Sequence, residues 1–187
     1  MTADRAPRSD AQRNRRAVLA AAEEVFAAGG PGASLNEVAR RAGVGPGTLY
    51  RHFPGRGPLL AALVADRIDR LTERGRDLLA APSAGDGLAE WLAAFVDHAR
   101  ANQGLGGAAL LEAAGHEAGL DCADRIRAAA EALTARAHRA DAVRPAVRAD
   151  DLLDLALGIA LATAADPAPD RAHRLLALAL AGVRTPA

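Results

Sequence analysis

The segment Ser34-Leu-Asn-Glu-Val-Ala-Arg-Arg-Ala-Gly-Val-Gly-Pro-Gly-Thr-Leu-Tyr-Arg-His-Phe53 constrains the chain more than any other. Leu35, Val38, Ala39 and Ala42 fall on one helical stripe and form a buried face. Ser34 and Glu37 stand three apart, the spacing of a capping box that opens a helix. Gly43 stands where a helix exit takes a left-handed residue, and Val44 is an apolar plug inside the turn. Pro46 suits the first turn of a second helix, where its missing N–H costs little. Leu49 and Phe53, four apart, face back to the core. Thr48, Tyr50, Arg51 and His52 then point elsewhere, and their polar groups are of the kind that bond phosphates and base edges. Two short helices around a glycine turn, the second with such a face, are the layout of a helix-turn-helix, whose second helix enters the DNA major groove. An ordinary helical hairpin with a solvated face leaves tyrosine beside arginine and histidine unexplained.

Charge distribution agrees with this reading. The 187 residues carry 23 arginines and no lysine against 23 acidic groups, so the formal net charge is zero. Residues 1–60 hold 9 arginines against 5 acids, and residues 61–187 hold 14 against 18. The basic portion is the one with the helix-turn-helix, and attraction to DNA follows local phosphate neutralisation rather than total charge.

Residues from about Arg13 to about Leu63 resemble the DNA-binding domain of the TetR family of bacterial regulators. The resemblance rests on Ala21-Ala-Glu-Glu-Val-Phe-Ala-Ala-Gly-Gly30, on Glu37-Val-Ala-Arg-Arg-Ala-Gly-Val44, on Thr48-Leu-Tyr-Arg-His-Phe53 and on Leu59-Leu-Ala-Ala-Leu63. It implies that Thr48, Tyr50 and His52 contact the DNA backbone or bases and that Arg56 grips a phosphate at the start of the next helix. It also places Asn36 and Gly45 at positions that touch bases, although Gly45 brings no side chain. With Ser34 and Arg51, these residues make up the expected DNA-binding set.

The chain reads as all-α, with about nine helices. The first runs from about Ala11 to Ala28, with Gly29-Gly30 as its stop, and the motif supplies the next two. Further helices are expected near Pro58–Leu79, Leu88–Ala101, Ala108–Ala114, Leu120–Ala140, Ala149–Ala164 and Pro169–Val183. Breaks fall at Ala81–Gly87, Gln103–Gly107 and Val143–Ala146. Residues 1–10 read as a flexible arm, 11–57 as the DNA-binding domain, and 58–187 as a helical ligand-binding and dimerisation domain.

The last two of these helices are apolar nearly all round and need cover on more than one side. The protomer core covers one side, and a second copy of the chain in a C2 homodimer is the expected cover for the other, through Leu153, Leu157, Leu161, Leu176 and Leu180. This agrees with the resemblance, in which the last two helices dimerise. A dimer gives the motif a partner, since two recognition helices about 34–36 Å apart read a palindrome. Simple core helices are the alternative.

The resemblance also implies a small-molecule effector site in the middle of the chain. Trp91, Phe95 and His98 share one helix face, and Leu110, Leu111, Ile126 and Leu133 complete an apolar wall, as a small-molecule cavity needs. A packed core with one satisfied histidine is the plainer reading.

No metal or other cofactor is expected. Glu112 and His116, with Cys122 nearby and His98 elsewhere, are ligand types without a metal-binding spacing. Gly104, Gly106 and Gly107 follow no strand and are a helix break rather than a dinucleotide fingerprint. No nucleophile elbow or phosphate loop stands out, which argues against an enzyme. A single cysteine, the absence of a long apolar run and a polar start point to a cytoplasmic protein with no membrane partner. Together these features imply a cytoplasmic, homodimeric, ligand-responsive repressor of the TetR type acting on double-stranded DNA. The alternative is a helical ligand-binding or scaffolding protein without DNA binding.

Overall fold

The structure is a computed structural model that describes residues 6–30, 32–104, 116–166, 168 and 170–185. Among them run eight α-helices: α1 (Ala6–Gly29), α2 (Leu35–Arg41), α3 (Pro46–His52), α4 (Arg56–Leu78), α5 (Ala84–Gly104), α6 (His116–Arg139), α7 (Ala149–Ala162) and α8 (Asp170–Val183). The described residues hold no named strand, only an isolated bridge between Val143 and Arg184. The expected helix at Ala108–Ala114, with Leu110, Leu111 and Glu112, lies outside the described residues.

Two compact units divide the described helices, with the boundary inside α4 after Asp66. In the first, α1 contributes Val18, Leu19, Ala22, Val25 and Phe26 to a core that α2, α3 and the start of α4 complete with Val38, Leu49, Phe53, Leu59 and Leu63. The inward stripe of α1 is the one the 3.6-residue period predicts. Gly30 ends the helix in the left-handed region, at φ 68°. α1 starts at Ala6 rather than near Ala11. α4 starts at Arg56, so Pro58 stands in its first turn, where no helical N–H partner is lost.

In the second unit, Trp91, Leu92, Phe95 and Val96 of α5 pack with Leu71 and Leu78 of α4, Leu133 and Ala137 of α6, Leu152, Ala156 and Ile159 of α7, and Ala172, Leu176 and Leu180 of α8. α5 begins at Ala84, inside the stretch read as a loop. The Asp86 N–H donates to Ser83 Oγ at 3.2 Å, a side-chain cap that lets the helix start four residues early. The Ser83 and Arg184 contacts also hold the Asp86 carboxyl below its ordinary value.

Two arginines close helix ends. Arg136 of α6 donates to the carbonyls of Leu78, the last residue of α4, and of Ala81 beyond it. Arg100 of α5 donates to the Thr163 carbonyl past the end of α7, at 3.2 Å, and to that of Asp166. The last carbonyls of a helix have no partner within it, and a guanidinium supplies one.

One close approach fixes how α5 meets α4. The Trp91 indole N–H donates to the Leu71 carbonyl at 3.0 Å. Gly75 is one turn beyond Leu71, and a Cβ there would stand 3.0 Å from the indole nitrogen. The indole therefore reaches the α4 backbone because residue 75 has no side chain. Gly75→Val should lower the unfolding free energy by about 1–3 kcal/mol, the usual cost of overpacking. Urea denaturation checks this, and unchanged stability would refute the close-packing account.

Candidate nucleic-acid interface

The turn between α2 and α3 is a Schellman motif. Gly43 adopts φ 67°. Its N–H bonds the Arg40 carbonyl at 3.2 Å, and the Val44 N–H bonds that of Ala39 at 3.0 Å. Val44 is half-buried against the first core, as its place inside the turn requires. Gly45 then caps α3 in extended conformation, with Pro46 as the first helical residue.

The capping box at the start of α2 is not formed. Ser34 makes no side-chain cap hydrogen bond. Glu37 instead receives two hydrogen bonds from Arg40, at 2.8 and 2.6 Å, which hold its carboxyl below the ordinary value. A guanidinium one turn along offers two donors in a matched fork, and the carboxylate takes it over the single backbone N–H. Arg41 reaches Glu24 at 3.4 Å. Both basic residues at the end of α2 are thus engaged with acids.

On α3 the division between core and surface is sharp. Leu49 is fully buried and Phe53 is 2% exposed, whereas Tyr50 is 46% exposed. Arg51 is exposed, and Thr48 and His52 are half-buried. At about 100° per residue, Gly47 and Arg51 point away from Leu49, with Thr48 and Tyr50 on their flanks. A Cβ on Gly47 would meet nothing within 4 Å. The middle of the outward face is therefore bare backbone between polar side chains of the kind that can hydrogen-bond phosphates and bases. The expected set names Gly45 and omits Gly47, which the helical phase would have shown. Tyr50 and Arg51 form no hydrogen bond or ion pair within the described chain. Ser34 and Asn36 are exposed at the start of α2, and Arg56 is half-buried at the first residue of α4.

In the second unit Trp91, Phe95, His98, Ile126 and Leu133 lie together, while Leu110 and Leu111 of the same expected set fall outside the described residues. The rings of Trp91 and Phe95 stack at 5.9 Å, and those of Phe95 and His98 at 6.5 Å. Leu133 is buried in the same core and Ile126 is packed against it. Trp91 and Leu133 are closed within this core and line none of the described grooves; one groove, of about 230 Å³, is lined instead by Thr72, Gly75, Arg76, Leu79, Arg125 and three alanines.

His98 is the polar member of the cluster. Arg67 Nη1 donates to Asn102 Oδ1 at 3.3 Å, which leaves the Asn102 amide to donate to His98 Nε2 at 2.9 Å. The ring then carries its proton on Nδ1, and that buried atom has no hydrogen-bond partner among the described residues. Burial first, then the charges of Arg67 and Arg70, push the His98 pKa down to about 4.

The last two helices depart from expectation. Leu176 and Leu180 are buried in the protomer's own core, on a stripe with Ala172. Leu153 is half-buried, while Leu157 and Leu161 are exposed. The expected interface set leaves out Leu155 and Leu178, and Leu178 is 72% exposed, the most of any large apolar side chain described. A helix apolar all round has no polar face to set its phase, so sequence alone does not say which leucines turn inward. Among the described residues, no three His, Cys, Asp or Glu cluster to hold a metal, and no helix is long and apolar enough to cross a membrane. Cys122 is half-buried with its thiol pushed up by burial and by Asp121.

Residues 18–63 match the family of bacterial regulatory proteins of the TetR type, and residues 83–185 match the C-terminal domain of SbtR-like transcriptional regulators. A TetR transcriptional regulator from Streptomyces coelicolor is 37% identical with a TM-score of 0.79, over 92% of this chain and 99% of that one. A TetR regulatory protein from Mycobacterium vanbaalenii is 34% identical with a TM-score of 0.76, over 95% and 99% of the two chains. The HTH-type transcriptional regulator TtgW of Pseudomonas putida is 43% identical over 60 residues, 32% of this chain and 45% of that protein. The chain spans less than half the length of the curated relatives it matches.

Tyr50→Ala and Arg56→Ala should each weaken duplex DNA binding by about 1–3 kcal/mol, the range for one good contact. Fluorescence anisotropy measures this, and unchanged affinity in both would refute the site assignment. His98 should make stability pH-dependent. Its folded pKa lies below its ordinary value of 6.5, so below pH 6.5 the unfolded chain takes up the proton first. Stability should fall as the pH drops from about 6.5 to about 4, and His98→Gln should flatten that part of the curve in thermal melts at stepped pH.

The motif, its outward face and the matches over both parts of the chain converge: the protein is a member of the TetR family of DNA-binding transcriptional regulators, not an enzyme.

Proposed function

We propose that the protein is a ligand-responsive repressor that binds a palindromic operator as a homodimer. The observation that carries this reading is the face of α3, where Tyr50 and Arg51 form no hydrogen bond or ion pair with any described residue while Leu49 and Phe53 fix the helix to the core. A second copy of the chain is supported by Leu157, Leu161 and Leu178, exposed on the last two helices, which a C2 contact would bury. In that contact Leu153 lies at the margin, and Leu176 and Leu180 support it from within. The expected DNA set of Ser34, Asn36, Gly45, Thr48, Tyr50, Arg51, His52 and Arg56 stands as the proposed interface, with Gly47 added for close backbone approach.

The effector is a small molecule held near Phe95 and His98. The His98 Nδ1–H, without a partner among the described residues, supports an acceptor group on it. α4 runs unbroken from Arg56 to Leu78, with Leu63 in the first core and Leu71 in the second. A ligand that binds better to one disposition of this helix shifts the population toward it by that differential affinity alone. A cytoplasmic setting suits the lone thiol of Cys122.

Sedimentation with and without a duplex retained from genomic fragments tests the assembly. The wild-type chain should sediment as a dimer and bind two chains per duplex. Leu161→Asp combined with Leu178→Asp should leave a helical monomer with at least tenfold weaker binding. A monomeric wild type that binds DNA one to one would refute the dimer. A screen of small molecules against the bound duplex tests the effector, and a ligand that binds the chain without weakening the complex would refute the switching scheme.

A further inference from the structure

We propose that Arg15 of α1 is a phosphate-binding residue of the DNA interface, held beside the C-terminal end of α3 by the ring of Phe53. The inference rests on α3 lying in the major groove and adds a contact that the motif itself does not contain.

Arg15 stands one turn before Val18 and Leu19, so it continues the buried stripe of α1 past the edge of the first core. Its guanidinium carbon lies 4.9 Å from the centroid of the Phe53 ring. Phe53 is the C-cap of α3 and is almost wholly buried, whereas Arg15 is exposed. The cation is therefore fixed at the end of the recognition helix, beside His52, whose ring lies 6.3 Å from that of Phe53.

If the contact served packing alone, an acid would be expected to neutralise the guanidinium. Among the described residues none does, and Arg15 forms no hydrogen bond or ion pair with any of them. The acids near it in sequence and on α2 are engaged, Asp10 with Arg13 and Glu37 with Arg40. A guanidinium attracted to a ring face keeps its N–H donors for another acceptor, and their fork matches a phosphate.

The groove supplies that acceptor. An α-helix with its side chains is about 10–12 Å across and fills a major groove about 12 Å wide. Groups just beyond the end of the helix then meet the phosphates that border the groove. A phosphate contact there fixes register without reading sequence.

The test is the salt dependence of binding to two duplexes of equal length, one retained from genomic fragments and one scrambled. The variants are Arg15→Met, which keeps the stem over Phe53 and removes the charge, and Arg15→Lys, which keeps the charge. Loss of one phosphate contact lowers the slope of log affinity against log salt by about 0.9. Between about 50 and 200 mM salt, the wild type should therefore lose roughly 3.5-fold more affinity than Arg15→Met. That difference should appear on both duplexes, with Arg15→Lys recovering most of it. An unchanged slope in Arg15→Met would overturn the proposal, including when affinity falls in step with a lower melting temperature, the mark of a packing role. A wild type that binds neither duplex would overturn the DNA reading itself, and this contact with it.

Discussion

A seven-residue helix that begins with proline and glycine does not hold its shape alone in water. α3 exists because Leu49 and Phe53 are buried against α1, α2 and the start of α4. Everything the interface does depends on that docking. It turns Gly47 and Arg51 outward, sets Tyr50 and Thr48 on the flanks and fixes the angle to α2 through the Schellman turn at Gly43. The specific side chains are exposed because the neighbouring apolar ones are not. Arg15 adds to the same anchor from outside, with its cation on the ring that the core buries.

The second unit is held by contacts of another kind. Its core is largely alanine and leucine, which pack closely but place few directional constraints. Direction comes from polar groups at helix ends and from glycines. Arg136 and Arg100 satisfy carbonyls at the ends of α4 and α7, and Gly75 admits the Trp91 indole to the α4 backbone. His98 sits at the edge of this core as a neutral imidazole, kept so by burial and by nearby arginines. Its Nδ1 has no acceptor among the described residues, a buried donor without one is costly, and the proposed effector would relieve that cost by supplying one.

Much of the first unit was legible in the sequence because its signals are local. The left-handed glycine, the proline at the helix start and the four-residue spacing of Leu49 and Phe53 each act within one or two turns. The failures have physical reasons. Ser34 and Glu37 have the spacing of a capping box, but Arg40 outbids the backbone for the carboxylate. Ser83 and Asp86 have a capping spacing too, hidden among the glycines and proline that marked a loop. The inward leucines of α8 could not be separated from the outward ones, because Leu176, Leu178 and Leu180 differ only in phase. The Arg15–Phe53 pair joins residues 38 positions apart, beyond any local pattern.

The function thus hangs on whether the exposed face of α3 reads a sequence, and whether two copies read it together. The most direct measurement is sequencing of the duplexes that the full chain retains from a random pool. An inverted repeat is the predicted result, with half-sites centred about 10–10.5 base pairs apart or a multiple of that. Its enrichment should be lost in Tyr50→Ala. A pool with no enriched sequence, or a single unrepeated half-site, would contradict a dimer that reads its operator through α3.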